Sequence, residues 1–284
     1  MATLYVSDLD GTLLQPDARL SDTTVTILNR EIAAGKLFTV ATARTPATVA
    51  PILGCVDLRL PAIVMTGAAL WDSHTRRYSR VIYMDPDAAE NLVKVYRETR
   101  TPTFLYTLVD DLIHIYHIGP VSDLERNFIN ERVGNRFKVL HIPEDGNSIL
   151  PERLDHVVLF YGMQPDRKAR EAYARIREVR GIRPQFYHDI FGEETGIIEA
   201  FSDKATKAEA MRAVAAEYGA DRIVAFGDNV NDLPMMAAAD HAVAVANALQ
   251  EVRDAADEVI GTNVSDAVAN YIAGSGVPAE EVLR

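Results

Sequence analysis

Two carboxylates two positions apart, Asp8 and Asp10, close the run Leu4-Tyr5-Val6-Ser7-Asp8-Leu9-Asp10-Gly11-Thr12-Leu13-Leu14. An apolar, β-prone segment that ends in acids places them at the carboxyl edge of a sheet, where open α/β folds build their sites. Carboxylates this close repel unless a cation or a shared proton offsets the charge, and Gly11 lets the chain turn away sharply. Taken alone, the pattern also fits a strand that simply stops at a solvated Asp-Gly turn. Two further strand ends repeat the theme: Leu37–Ala41 runs into Thr42-Ala43-Arg44, and Ile223–Phe226 runs into Gly227-Asp228-Asn229-Val230-Asn231-Asp232. Lys207 stands near the start of a helical segment between them. Carboxylates converging from two strands suit a hard cation such as Mg²⁺, which takes oxygen ligands. A ligated carboxylate beside a phosphate monoester can attack phosphorus. A neighbouring carboxylate can then give a proton to the leaving oxygen and take one from water. A metal, a lysine and a hydroxyl neutralise charge on the transferring group.

Positioning those side chains takes alternating strands and helices. After the opening strand, a polar loop over 15–22 leads to a helix from about Ser21, with Val25, Leu28 and Ile32 at helical spacing and Gly35 at its end. The short, continuously apolar Leu37–Ala41 reads as a buried parallel strand, with Thr45 and Pro46 as N-cap and first residue of the next helix. Ala62–Met65 reads as a third apolar strand, breaking at Thr66-Gly67-Ala68, and 69–82 as a hairpin. From residue 83 the character changes, and 13 of the 21 aromatic residues lie between 83 and 200. A helix starts at Asp85-Pro86, and Thr103–Leu108 and Leu112–Ile118 flank Asp110-Asp111 as a hairpin. Ser122-Asp123-Leu124-Glu125 has capping-box spacing, and 141–152 is loop-like. A strand at 157–161, a helix at 166–179 and a strand pair at 183–188 and 195–201 complete an α+β unit. After 201 the βα alternation returns: a helix over 205–218, strands at 223–226, 242–245 and 258–260, helices from Leu233, near 248–256 and from about Ser265, and a tail from Gly274. The reading is a parallel-sheet α/β core, 1–82 plus 201–284, with an α+β domain, 83–200, inserted into it.

Composition narrows the function. Lys and Arg total 29 against 41 Asp and Glu, a formal charge of -12, which speaks against general nucleic-acid binding. An anionic substrate therefore needs local cations to overcome the global field. One cysteine, Cys55, rules out an intrachain disulfide and a cysteine-rich metal site; it reads as a small core residue. No apolar run is long enough to span a bilayer, and the first residues lack the pattern of a secretory leader, so a cytoplasmic protein is expected. The seven histidines form no metal pattern; His114 and His117, three apart on a strand, face opposite sides, and all seven read as structural or surface residues.

The set of motifs resembles the haloacid dehalogenase-like phosphatase superfamily, and its spacing and insert resemble the Cof-type branch of sugar-phosphate phosphatases. The first motif, DxDGT and two apolar residues, reads Asp8-Leu9-Asp10-Gly11-Thr12-Leu13-Leu14. The second reads Thr42-Ala43-Arg44, the third falls on Lys207, and the fourth, GDxxND, reads Gly227-Asp228-Asn229-Val230-Asn231-Asp232. A later Asn-Ala matches at Asn247-Ala248. The resemblance implies a Rossmann-like core with a cap that closes over the site and sets specificity. It implies Asp8 as nucleophile and metal ligand, Asp10 as acid/base with its backbone carbonyl on the metal, and Asp228 as the remaining protein ligand to Mg²⁺. Asn231 and Asp232 would orient ligands or hold Lys207, while Thr42 and Lys207 would bind phosphoryl oxygens. Leu9, Ala43, Arg44 and Asn231 would line the substrate, Arg44 alternatively bracing its loop, with Gly11 and Thr12 in support. Three departures stand out: Thr66-Gly67-Ala68 where the family often has Asn-Gly-Ala, Ala208 where a glycine often follows the lysine, and Lys204 as a competitor for Lys207. The implied activity is Mg²⁺-dependent hydrolysis of small phosphorylated metabolites, sugar phosphates above all. The rivals are a phosphomannomutase-like phosphoryl transferase and a non-enzymatic sugar-phosphate-binding regulator.

Overall fold

In the computed structural model, residues 2–130, 133–142, 147–189 and 192–274 are described. In chain order the elements begin with β1 (Thr3–Ser7), a wide turn over Leu9–Leu13, α1 (Asp22–Ala33), β2 (Leu37–Val40) and α2 (Pro46–Leu53). Next come β3 (Ala62–Val64), β4 (Ala69–Trp71), β5 (Tyr78–Val81), α3 (Pro86–Glu98), β6 (Thr103–Val109), β7 (Leu112–Ile118), α4 (Asp123–Asn130) and β8 (Lys138–His141). Then come β9 (Val157–Pro165), α5 (Asp166–Ile176), β10 (Ile182–Asp189), β11 (Gly192–Ser202) and α6 (Lys207–Glu217). The chain finishes with β12 (Arg222–Gly227), α7 (Leu233–Met236), β13 (His241–Val245), α8 (Gln250–Ala255), β14 (Glu258–Ile260) and α9 (Ala267–Ile272). These fall into two compact units, Met1–Val81 with Ala205–Arg284, and Ile82–Lys204. The sequence-based tail beyond Gly274, and Asp145-Gly146 within the expected loop, lie outside the described residues.

The first unit is built on a parallel sheet in the order β14-β13-β12-β1-β2. Register does the positioning: Ser7 pairs with Phe226 on one side and Val40 on the other. The residues just beyond these strands, Asp8, Asp228 and Thr42, therefore emerge at one sheet edge. Leu4, Val6, Ala41, Met211, Val214, Ala225 and Met235 form the core beneath them. Burying each large aliphatic side chain contributes about 1.5–3 kcal/mol, so this core anchors the strands that carry the site. Ser21 caps α1 by accepting the Thr24 N–H at 2.9 Å. Thr45, by contrast, makes no side-chain cap at the start of α2, although Pro46 does occupy its first turn.

The third apolar strand forms where the sequence places it, but pairs apart from the other two. β3 joins the parallel sheet only through a single bridge, Ala41 to Ile63, and instead forms an antiparallel sheet in the order β3-β4-β5. Its ladder stops because Met65 and Thr66 turn into left-handed conformations, where their N–H groups bond to the Arg44 and Thr42 carbonyls at 3.0 Å each. Cys55 is exposed rather than in the core, its Sγ donating to the Ile52 carbonyl at 3.3 Å.

In the second unit a six-stranded sheet runs β10-β11-β9-β6-β7-β8. All its pairs are antiparallel except β7 with β8. Asp110 and Asp111, at φ 50° and 59°, form the two-residue β6–β7 turn, the left-handed pair that a tight hairpin requires and that Asp tolerates. Leu92, Tyr96, Leu105, Phe160, Ala172, Ile176 and Ile198 form a core between the sheet and helices α3 and α5. The Ser122–Glu125 capping box is complete: Glu125 Oε2 accepts from the Ser122 N–H at 2.9 Å, and Ser122 Oγ accepts from the Glu125 N–H at 3.2 Å. Glu125 is fully buried and also lies 3.3 Å from His117 Nε2. The two strand histidines do face opposite ways: His117 is buried, while half-buried His114 meets His141 at 3.0 Å.

Candidate active site

β1 ends at Ser7, and the Asp8 N–H continues the ladder to the Phe226 carbonyl at 3.0 Å. That bond fixes the buried Asp8 beside the start of the β12 loop. Lys207, the first residue of α6, reaches across to donate to Asp8 Oδ1 at 2.5 Å and to Asp232 Oδ1 at 2.7 Å. Its side chain is 2% exposed, and that of Asp232 is wholly buried. Thr206 makes this approach possible by capping α6, its hydroxyl accepting the Glu209 N–H at 2.9 Å. The other Asp232 oxygen takes the N–H groups of Asp228 and Asn229, both at 3.2 Å, so Asp232 shapes the loop that presents Asp228. Asp228 in turn accepts the Thr12 hydroxyl at 2.8 Å.

Gly11 permits that meeting. At φ +80° it holds a conformation that disfavours any side chain, and a Cβ there would sit 2.4 Å from Asp228 Oδ2. The Gly11 carbonyl is anchored by the Asn247 amide at 2.7 Å, and Asn247 Oδ1 accepts the Asn263 N–H at 2.9 Å. Asn263 also donates to the Leu14 carbonyl at 2.8 Å. Two asparagines from the far end of the chain thus clamp the first loop. Asn247 was legible as the motif's Asn-Ala; Asn263 has no sequence signal, since its partner is 249 residues away.

Asp8, Asp228 and Asp232 bring ligand atoms within 4.8 Å of one another. Three carboxylates against one ammonium leave two negative charges unmatched when all are ionised, a donor set and charge that fit a hard divalent cation. The electrostatics carry the same strain. Burial first, then the Asp232 and Asp228 charges, push Asp8 up to about 7 against the pull of Lys207. Burial likewise raises Asp228 to about 6, opposed by the Thr12 hydrogen bond. Burial works against the Lys207 ammonium, but Asp8 and Asp232 outweigh it and hold the group above its ordinary value. Asp232 is committed to Lys207 and to the backbone, which leaves Asp8 and Asp228 as the more available side-chain ligands.

Asp10 turns outward, its side chain 52% exposed, into a bidentate pair with Arg44: Nε to Oδ2 at 2.7 Å and Nη2 to Oδ1 at 2.5 Å. That hydrogen bonding, foremost, raises the Arg44 guanidinium further above its ordinary value. Thr42 is buried and its Oγ1 accepts the Arg44 N–H at 3.1 Å. Leu9 is buried in the core, Ala43 is exposed, and Asn231 is exposed and takes no part in holding Lys207. Lys204 lies in the other unit, exposed, and Lys207 alone of the two joins the carboxylates. Gly67, at φ +91°, lets the turn after β3 touch the start of α6, for a Cβ there would lie 2.2 Å from the Thr206 carbonyl oxygen. The sequence pattern marked Thr66 as a departure and assigned Gly67 no such role.

A sequence profile for haloacid dehalogenase-like hydrolases matches residues 5–272. Among curated proteins, the chain is 26% identical over 273 residues to the 5-amino-6-(5-phospho-D-ribitylamino)uracil phosphatase YitU of Bacillus subtilis, covering 95% of this chain and 96% of that one. It is 26% identical over 272 residues to the pyridoxal phosphate phosphatase YbhA of Escherichia coli, covering 93% and 95%. Among solved structures, a haloacid dehalogenase-like hydrolase from Bacteroides thetaiotaomicron superposes with a TM-score of 0.74 at 20% identity, covering 96% of this chain and 99% of that one. That likeness concerns the fold.

Proposed function

Since the chain belongs to the haloacid dehalogenase-like hydrolases, we propose that it is a phosphatase hydrolysing phosphate monoesters of small metabolites, sugar phosphates first, with Asp8 as nucleophile. The observation that carries this reading is the buried Asp8–Lys207–Asp232 triad beside Asp228 at the carboxyl edge of the parallel sheet. Lys207 occupies Asp8 Oδ1, so the second carboxylate oxygen is the one to attack phosphorus. The P–O bond to the leaving group breaks as the Asp8–phosphorus bond forms, giving an aspartyl phosphate. Asp10 protonates the leaving oxygen and then accepts a proton from the water that attacks the aspartyl phosphate. To do so Asp10 exchanges its Arg44 partner, and the substrate's phosphoryl oxygens compete for that guanidinium. Thr42 and Lys207 hold the phosphoryl oxygens.

Asp8, Asp228 and the Asp10 backbone carbonyl would hold Mg²⁺. When bound, the ion neutralises charge on the phosphoryl group and on the two carboxylates. We assign the unit Ile82–Lys204 the selection of substrate. The relatives' names, phosphatases of a pyridoxal phosphate and of a phosphoribitylamino-uracil, favour water over a sugar hydroxyl as final acceptor, and they widen the panel worth testing. The test is phosphate release from sugar phosphates, pyridoxal 5′-phosphate and phosphorylated ribityl compounds, with Mg²⁺ and with EDTA. Mg²⁺-dependent release supports the reading. Phosphoryl transfer between sugar positions without release would favour the mutase, and no turnover of any compound would favour a binding protein.

A further inference from the structure

One buried hydroxyl near the site has nothing to bond. Thr66 is 4% exposed, and its Oγ1 has no hydrogen-bond partner among the described residues. A buried hydroxyl left unpaired is destabilising. The backbone that carries it is unusual as well: Met65 and Thr66, at φ 51° and 56°, are consecutive non-glycine residues in the left-handed region, which a β-branched residue seldom enters. Such conformations persist where surrounding contacts over-determine them, and here the contacts come from two sides. The Thr66 and Met65 N–H groups donate to the Thr42 and Arg44 carbonyls, both at 3.0 Å. On the other side, Gly67 packs so closely on the start of α6 that a Cβ would lie 2.8 Å from the Lys207 backbone nitrogen. Thr66 is thus held between the residues that bring Thr42 and Lys207 to the site.

We propose that the Thr66 hydroxyl is a further substrate-binding group, a neutral donor to an oxygen of the phosphoryl group held by Thr42 and Lys207. This rests on the phosphatase reading above. The Met65-Thr66-Gly67 backbone is tied to the residues after β2 and packed on the start of α6, and the missing partner of the hydroxyl arrives with the ligand.

The test compares Thr66→Val, which keeps the branched shape and removes the hydroxyl, with Thr66→Ser, which keeps the hydroxyl. Inorganic phosphate is the probe, read by calorimetry in the presence of Mg²⁺ and as a competitive inhibitor, alongside KM and the thermal midpoint. For Thr66→Val the expected result is phosphate binding weaker by roughly 10- to 100-fold, the range for one hydrogen bond to a charged group. KM rises with it, the midpoint is unchanged or higher, and Thr66→Ser binds nearly as wild type. Unchanged phosphate affinity in Thr66→Val would overturn the inference, as would Thr66→Ser being as impaired as the valine variant. Should Thr66→Val not fold, Thr66→Ala against Thr66→Ser supplies the same comparison. A wild-type protein that neither releases nor binds phosphate defeats the phosphatase reading and this inference together. A wild type that does both, beside a Thr66→Val variant that does so equally well, defeats this inference alone.

Discussion

Glu199 offers a quantitative check on the second unit that is independent of any substrate. It lies on β11, 7% exposed, and burial raises its carboxyl from 4.5 to about 7 against a hydrogen bond from Tyr187. A carboxyl raised in the folded state binds its proton more tightly there than in the unfolded chain. Its contribution to stability is therefore fully present below about pH 4.5 and lost as pH rises through about 7. The interval between 4.5 and about 7 corresponds to about 3 kcal/mol, an order-of-magnitude figure. Glu199→Gln keeps the shape and an acceptor for Tyr187 but carries no charge. At pH 4.5 the variant should match the wild type closely, and at pH 8 it should be the more stable by up to about 3 kcal/mol. Denaturant unfolding at a series of pH values, monitored by tyrosine fluorescence, reads the difference directly. A constant offset between the two proteins across that range would refute the argument, because it would mean that the buried group does not titrate as its surroundings require.

The first unit yields three further outcomes. Lys207→Met leaves Asp8 and Asp232 buried without their counter-charge, and in the presence of EDTA it should lower stability by about 3–5 kcal/mol; calorimetry checks this, and an unchanged midpoint would contradict the triad. Gly67→Ala forces a side chain into a left-handed position against the Thr206 carbonyl, and should lower stability by about 2 kcal/mol or more while reducing kcat. Gly11→Ala drives a Cβ into the Asp228 carboxylate and should weaken Mg²⁺ binding by about 10- to 100-fold, read by isothermal titration.

The strand-end residues were legible because each comes after a short, uninterrupted apolar run, and parallel pairing carries such ends to one edge whatever the loops do. Asp8, Asp228 and Thr42 obey that rule, and Lys207 comes from a helix start of the right polarity. The capping box at Ser122–Glu125 was legible for the same local reason. What escaped depended on distant partners. β8 is a four-residue edge strand with every residue half-buried, too short for its pattern to stand out. β3 was legible as an apolar strand but not by its partner, which is β4 in an antiparallel pair. Cys55 resembles a core residue by type, yet falls in the exposed turn after α2. The reach of Asp232 to both Lys207 and the backbone of its own loop could be read only as an alternative from the sequence; Asn231 takes no share in it. No helix among the described residues is long and apolar enough to cross a membrane.

The proposed chemistry turns on attack of Asp8 on phosphorus. The most direct test is phosphate release by Asp8→Asn beside the wild type, with Mg²⁺, on whichever compound of the panel the wild type hydrolyses best. Asparagine preserves the volume and an oxygen for Lys207 but removes the nucleophilic charge, so release should be abolished while the protein stays folded and still binds inorganic phosphate. Release that survives in a folded Asp8→Asn variant would contradict it, and would move the chemistry to another residue or to directly activated water.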